Sequence, residues 1–284
     1  MKISLIVNTH NKCISLILLL ISILRQTLKD IEVIIINDSN KFNKLLTYFI
    51  NKAKFQVIVI NDSLPISNLK NKALNMASGE YIMFLNANDY LKSNALELMY
   101  NSSNNEDVIV THGYKKFLCF RLKENFYVTK SDNTLYHNIY ANNKLIRRSV
   151  LLENPFMNNV DDYNLSNIPI ILSNYKIKVI SNRLITSKIN KSLFNHRDNI
   201  LDVLKILDYI KPKIPLRDYK NIAILEILYR LENYFYSKNE NESIQSRLKD
   251  ELYKIDNYWF DYEIIKIIMD RDLLFKYFIK HANL

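Results

Sequence analysis

Short apolar runs alternate with helix-length amphipathic segments through the first 90 residues of the chain. The runs are rich in β-branched residues and almost continuously apolar, which is typical of strands buried on both faces of a parallel sheet. Strands that alternate with helices over short links indicate a parallel sheet with right-handed crossovers, in the α/β class. The predicted strands are 3–7, 31–36, 55–60 and 80–85, and the predicted helices are 13–27, 41–53 and 67–77.

The pattern changes near residue 190. Before that point it predicts helices at 92–103, 150–153 and 163–173, strands at 107–111, 177–180 and 184–186, and further strands and loops over 114–148. Beyond it, helical spacing of apolar positions covers 200–210, 218–236, 242–255 and 262–279. We therefore expect an α/β domain over residues 1–190 and a helical C-terminal region over 191–284.

A polar segment follows each of the four predicted parallel strands. These segments are NTHN (8–11), NDSN (37–40), NDSLP (61–65) and NANDY (86–90), and three of them contain aspartate. In parallel α/β sheets, ligands bind beyond the carboxyl ends of the strands. We expect the chemistry of the protein at this edge.

Glycine is scarce in the chain. Average usage of roughly 7% would give about 20 glycines, and the chain has two, Gly79 and Gly113. This excludes a G-x-G-x-x-G dinucleotide site and a G-x-x-x-x-G-K-[ST] phosphate loop. Gly79 follows the third predicted helix, where a glycine commonly forms the C-terminal cap.

Cysteine usage and hydropathy bear on the compartment. The two cysteines, Cys13 and Cys119, are far apart in sequence, which excludes a disulfide scaffold and favours a cytoplasmic location. The longest apolar run, 14–24, is shorter than the about 20 residues of a membrane span. Because no small-residue cleavage site follows it, we expect a buried first helix rather than a signal peptide.

Positive charge is concentrated in the first two thirds of the chain. The formal net charge is +10, and residues 1–187 carry +8 of it. Nucleotide diphosphates, nucleic acid and anionic lipid are all partners that such a surface attracts. Because no basic run matches a nucleic-acid motif, we expect no nucleic-acid partner.

Several ordered motifs resemble those of family 2 of the inverting glycosyltransferases. The segments SLIVNTHN (4–11), ILRQTLKDIEVIIINDSN (23–40) and GEYIMFLNANDYL (79–91) resemble its donor half. The segments NKLIRRSVLLENPF (143–156) and DDYNLSNIPIILSNYKIKVI (161–180) resemble its acceptor half. The resemblance covers about residues 1–190 and implies a GT-A fold, a Rossmann-like, mostly parallel sheet with flanking helices.

The resemblance also implies a function. A sugar would pass, with inversion, from a nucleoside-diphosphate sugar, a UDP-sugar above all, to a saccharide or lipid-linked glycan. Such transfers build bacterial surface polysaccharide and lipo-oligosaccharide. Since lipid-linked acceptors lie at the inner membrane face, peripheral membrane association is a further expectation. The alternative is a catalytically impaired member that binds a sugar or nucleotide as a partner protein.

Matched positions suggest the donor-binding residues. Thr9 and Asn11 match positions that contact the nucleoside, and Asp38 matches the second Asp of the D-D pair near the base or ribose. Lys70 matches an arginine that lies near the diphosphate in the family, and Asn86 is the first residue of the motif that holds the diphosphate. Ordinary structural roles remain open for them: turn or cap residues for Thr9, Asn11 and Asp38, and a solvated helix lysine for Lys70.

The D-x-D motif that binds Mn or Mg in this family is Asn86-Ala87-Asn88 here, followed by Asp89. Divalent cations prefer charged oxygen ligands. Three outcomes stay open. In the first, Asn88 and Asp89 hold the metal weakly. In the second, the enzyme works without metal, and Lys70 or the pair Arg147 and Arg148 neutralises the diphosphate. In the third, the donor site is inactive.

The pair Asp161-Asp162 matches the family's catalytic carboxylates. Inverting transfer needs a carboxylate that takes the proton of the acceptor hydroxyl as that hydroxyl attacks the anomeric carbon. The resemblance assigns this role to Asp162, with Asp161 beside it. The alternative is an acidic helix start that the helix dipole favours.

Overall fold

The computed structural model describes most of the chain. Its parts are residues 1–9, 13–37, 43–117, 120–122, 143–160, 163–188, 200–237, 242–262, 265–266, 269 and 273–282. Among the predicted site residues, Asn11, Asp38, Asp161 and Asp162 lie outside these ranges.

The predicted parallel sheet is confirmed. Strand β1 pairs in parallel with both β2 and β4, and β2 pairs in parallel with β3. Apolar side chains on both faces are buried, which explains the continuous apolar runs. The four strands are β1 (Ile3–Asn8), β2 (Ile31–Asn37), β3 (Gln56–Asn61) and β4 (Tyr81–Asn86).

Five more strands widen the sheet. Strand β8 runs antiparallel to β4 and β6, β9 runs parallel to β6, and the short β5 pairs antiparallel with β9. The order of the described strands is β3-β2-β1-β4-β8-β6-β9-β5, with β7 beside β6. The added strands are β5 (Asp89–Leu91), β6 (Val108–Phe117), β7 (Phe120–Leu122), β8 (Lys144–Arg147) and β9 (Ile177–Lys188).

The structure corrects the prediction of two short strands at 177–180 and 184–186. They are one strand, β9, whose register against β6 shifts between Thr111 and Gly113. The polar residues 181–183 face this irregularity, so they interrupt the hydropathy pattern without ending the strand.

Helices cover both faces of the sheet. On one face, α1, α2 and α4 pack over a core that includes Leu19, Phe49 and Met83. On the other, α3, α5 and α6 pack over Leu69, Phe84 and Ile171. The helices are α1 (Cys13–Leu24), α2 (Asn43–Lys52), α3 (Ile66–Met76), α4 (Ala95–Asn101), α5 (Arg148–Glu153) and α6 (Tyr163–Asn174).

The C-terminal region is helical, as predicted, and has its own core around Leu225, Leu228 and Trp259. This core also takes in Val160 and Ile170 from the α/β part, so the tail packs against α6 and the segment before it. The apolar stripes of the described tail therefore serve packing. Its helices are α7 (Ile200–Ile210), α8 (Leu216–Ser237), α9 (Glu242–Ile255) and α10 (Leu273–His281).

Glu32 ties together the amino ends of three parallel strands. Its Oε1 accepts hydrogen bonds from the Ser4 hydroxyl at 2.5 Å, the Ser78 N–H at 2.5 Å and the Gly79 N–H at 3.2 Å. Burial opposes ionisation of this carboxyl, but the hydrogen bonds outweigh it and hold the pKa of Glu32 below its ordinary value. The buried carboxylate therefore contributes to stability in its charged form.

Gly79 is required by close approach, and the prediction that it caps a helix is wrong. Helix α3 ends earlier, at Ala77, whose N–H bonds back to Ala73 and Leu74. A Cβ at position 79 would lie 2.5 Å from the backbone nitrogen of Ser4, which no side chain tolerates.

Candidate active site

The four parallel strands all end in asparagine at one edge of the sheet. Asn8 lies beside Asn86 in the register of β1 and β4, and Asn37 lies beside Asn61 in that of β2 and β3. The Ala87 N–H donates to the Asn8 carbonyl at 3.0 Å, which holds the turn after β4 against β1. This is the edge where a parallel α/β sheet binds its ligand.

Thr9 is fully buried at this edge and holds β1 to β2. Its N–H and its hydroxyl both donate to the Ile36 carbonyl, each at 3.2 Å. Both polar groups of Thr9 therefore serve the structural role that the sequence left open for this residue.

Three buried amide oxygens at this edge receive no hydrogen bond from the described residues: Asn8 Oδ1, Asn37 Oδ1 and Asn88 Oδ1. The Asn37 Nδ2 is fully used, because it donates to Asn61 Oδ1 at 2.8 Å and to Asn43 Oδ1 at 3.2 Å. A buried acceptor without a donor costs about 1–3 kcal/mol.

Asp89 stabilises the turn between β4 and β5. It is 2% exposed, and its Oδ2 accepts the Asn86 N–H at 2.7 Å. The Asn86 side chain is exposed at the edge, while Asn88 offers a neutral oxygen. Within the described residues, no three His, Cys, Asp or Glu side chains are grouped as metal ligands. The described turn alone does not fit a divalent cation, which prefers several charged oxygens.

Lys70 is buried rather than solvated. It is 4% exposed, and its ammonium lies 4.9 Å from the ring centroid of Phe84 and 5.5 Å from that of Phe156. The two rings meet edge to face at 5.3 Å. Since Phe84 is two residues before the end of β4, the cation lies just beneath the strand edge, held by cation–π contacts.

The structure does not bring Arg147 and Arg148 to this edge. Arg147 Nη1 lies 3.2 Å from Glu80 Oε1, and its Nη2 donates to the Tyr81 hydroxyl at 2.8 Å. The Arg148 N–H donates to the Glu80 carbonyl. These contacts lie at the amino ends of the parallel strands, because β8 runs antiparallel to β4.

Lys144 is the basic residue of β8 that approaches the site edge, and the sequence analysis missed it. Tyr81 pairs with Arg147 and Ile82 with Ile146, so Lys144 lies toward the carboxyl end of β4. It is fully buried, and its Nζ lies 3.4 Å from Asn143 Oδ1. Burial holds the pKa of Lys144 well below its usual range.

Asn71 fixes the segment that precedes Asp161 and Asp162. Its Nδ2 donates to the Phe156 carbonyl at 2.8 Å, and its Oδ1 accepts the Phe156 N–H at 3.0 Å. Asn68 adds a bond from the Asn159 N–H at 3.0 Å. Helix α3 therefore anchors the chain just before the predicted catalytic pair.

Sequence comparison matches a family model, glycosyl transferase family 2, to residues 4–155. The cholesterol galactosyltransferase of Borreliella burgdorferi is 27% identical over 178 residues, covering 54% of this chain and 50% of that protein. The poly(ribitol-phosphate) β-N-acetylglucosaminyltransferase TarP of Staphylococcus aureus is 35% identical over 116 residues, covering 38% and 36%. The chain thus spans half or less of the length of these curated relatives.

Structural comparison finds the same fold in TarS of S. aureus. The TarS fragment 1–349 in complex with UDP superposes with a TM-score of 0.62 at 18% identity, over 96% of this chain and 75% of that one. The same fragment in complex with UDP-GlcNAc gives 0.64 at 16% identity, over 100% and 88%. The GT-A fold is confirmed, and the family model covers more than half of the sequence. The chain belongs to glycosyl transferase family 2.

Proposed function

We propose that this chain transfers a sugar from a UDP-sugar to a hydroxyl of a saccharide or lipid-linked glycan, with inversion at the anomeric carbon. The observation that carries the proposal is the strand edge, where three buried amide oxygens receive no hydrogen bond from the described residues and the buried Lys70 ammonium lies near the end of β4. A nucleoside supplies N–H and O–H donors, and a diphosphate supplies the anion. The TarS complexes with UDP and UDP-GlcNAc support the choice of nucleotide.

In this proposal Asp162 is the general base. Its carboxylate takes the proton of the acceptor hydroxyl, whose oxygen forms the new bond to the anomeric carbon. The bond from that carbon to the diphosphate oxygen breaks, and UDP leaves with its electron pair. Asn71 and Asn68 support Asp162 indirectly, by fixing the segment that leads to it.

The leaving diphosphate needs a positive partner, and Lys70 is the described cation beneath the edge that we assign to it. We derive no step through a metal, because the Asn86–Asp89 turn does not offer the charged oxygens that a divalent cation prefers. Donor binding should therefore persist in a chelator.

Calorimetric titration with UDP-GlcNAc and with UDP-galactose tests the proposal. UDP-GlcNAc is bound in the TarS complex, and UDP-galactose is chosen because one relative is a galactosyltransferase. We expect one of them to bind, with Kd changing by less than about threefold between EDTA and Mn. If neither binds with or without Mn, the donor assignment is rejected. If binding needs Mn, the metal-free site is rejected.

The Lys70→Gln variant tests the assigned cation. Kd should rise by at least about tenfold, since a buried charge–phosphate contact is lost, while Lys70→Arg should retain most of the affinity. The matched control is Lys72→Gln on the same helix, an exposed lysine paired with Asp62 at 2.9 Å. Equal Kd values for the Lys70→Gln variant and the control, with melting temperatures unchanged, would contradict the assignment.

The second candidate is a family member that binds the donor without transfer. The asparagines at positions 37, 86 and 88, where the family has aspartates, favour it. Binding of the donor with no release of UDP would support this candidate.

For an active enzyme, we propose a role in bacterial surface-glycan synthesis, at the cytoplasmic face of the membrane.

A further inference from the structure

Helix α1 is apolar on its solvent side as well as on its core side. Ile17, Leu18 and Ile21 are 36%, 39% and 37% exposed, and they lie within one turn of one another. No charged residue occurs between Cys13 and Leu24. A surface helix of a soluble protein ordinarily carries polar residues on its outer face.

Helix α2 lies beside α1 and adds an aromatic residue and positive charge. Tyr48 is 62% exposed, and Lys44 and Lys52 stand one turn before and after it on the same side of the helix. The Lys52 ammonium lies 5.8 Å from the Tyr48 ring centroid. Neither α1 nor α2 contains an aspartate or glutamate.

The exposed sides of the two helices form one surface. Both helices pack on the same face of the sheet, where Leu16 and Leu46 share a core, so their outer sides point the same way. The exposed Arg25 follows α1, with its N–H bonded to the Ile21 carbonyl. We name this surface the α1–α2 face; it comprises Ile17, Leu18, Ile21, Arg25, Lys44, Tyr48 and Lys52.

We propose that the α1–α2 face docks the protein on a membrane surface that contains anionic lipid. Aliphatic side chains enter the boundary between head groups and acyl chains, a tyrosine sits at the head-group level, and lysines and arginine meet lipid phosphates. Among the described helices, none is long and apolar enough to cross a bilayer.

Charge favours a lipid surface over a second copy of the chain. The protein carries a formal net charge of +10, and two α1–α2 faces brought together would oppose cations with cations. An anionic bilayer complements the same cations. Strand β1 ends at Asn8 at the candidate active site and α1 begins at Cys13, so the amino end of α1 lies on the active-site side of the molecule.

Vesicle flotation of the full chain tests the proposal. The probes are phosphatidylcholine vesicles with and without about 30% phosphatidylglycerol. We expect binding to the anionic vesicles that weakens as salt rises, and little binding to the neutral ones. No flotation with the anionic vesicles at low salt would overturn the proposal.

Two paired variants locate the surface. One double variant combines Leu18→Gln with Ile21→Gln, and the other combines Lys44→Glu with Lys52→Glu. Each should lower the partitioning of the protein onto anionic vesicles by about tenfold or more. The matched control is Tyr258→Gln with Phe260→Gln, which changes two side chains of the tail that are 74% and 56% exposed. The control should float like the wild type.

Each remaining outcome counts against the proposal. Loss of flotation in the control to the same extent as in the α1–α2 variants would show nonspecific adhesion. The wild type could instead sediment as a dimer and fail to bind vesicles, while the Leu18 and Ile21 changes convert it to a monomer. That result would assign the α1–α2 face to self-association. Since all the substituted side chains are exposed, the variants should keep the wild-type melting temperature.

Discussion

Asparagines at the carboxyl ends of the parallel strands set what the site edge can bind. An aspartate there would carry a charge and favour a cation, whereas an asparagine oxygen accepts a hydrogen bond without one. The oxygens of Asn8, Asn37 and Asn88 lack donors among the described residues. Ligand donors would recover part of the free energy that these buried acceptors cost.

At the same scale, Glu32 gives a test of stability. Glu32→Gln should lower the free energy of unfolding at neutral pH by about 2 kcal/mol, because a buried charged acceptor of four hydrogen bonds becomes a neutral amide. Urea unfolding of both proteins measures the difference. The control, Glu97→Gln, weakens an exposed bond from the Thr27 hydroxyl and should change stability by less than about 0.5 kcal/mol.

The pH dependence of the Glu32 effect has a defined sign. The pKa of Glu32 is lowered in the folded protein, so its contribution is complete above the ordinary glutamate value of about 4.3 and is lost as the pH falls through the folded value. The difference between wild type and Glu32→Gln should therefore shrink on acidification below about pH 4. A difference that stays constant or grows would contradict this account.

At the scale of elements, α3 holds the segment that leads to the predicted base. Asn71→Ala removes both bonds to Phe156, so donor hydrolysis should slow by about tenfold with little change in donor KM. Asn71→Asp keeps the acceptor for the Phe156 N–H and should recover part of kcat. The control is Asn75→Ala, an exposed position one turn later in the same helix.

Equal rates for the Asn71→Ala and Asn75→Ala variants would rule out the positioning role. A parallel rise in donor KM would instead place Asn71 in donor binding. Melting temperatures of both variants separate either effect from a loss of folded protein.

The helices and parallel strands could be predicted because their patterns are local. The apolar runs of β1, β2 and β4 and the spacing of α7 and α9 indicate them directly. The direction of β8 is set by its partners in the sheet, so the sequence alone left the position of Arg147 and Arg148 open and did not indicate Lys144. The role of Gly79 likewise depends on Ser4, far away in sequence.

The whole molecule combines a glycosyltransferase fold with a packed helical tail and a basic surface. The tail core includes Val160 and Ile170, so the tail packs against the residues on either side of the predicted base. The apolar residues Ile222, Leu225 and Leu228 are buried there and are not available to contact a membrane. The membrane contact that we propose is the α1–α2 face. We propose that the strand edge, Asp162 and the α1–α2 face act together in sugar transfer at a membrane surface.

Release of UDP from a bound UDP-sugar tests whether this chain is an active transferase with Asp162 as its base. The rate of release and the donor Kd are measured for the wild type and for Asp162→Asn. We predict slow release by the wild type, release at least about 100-fold slower in the variant, and an unchanged Kd, because a general base contributes on the order of 10²- to 10⁴-fold. Equal release rates, or no release by a wild type that binds the donor, would contradict the assignment of this chain as an active transferase.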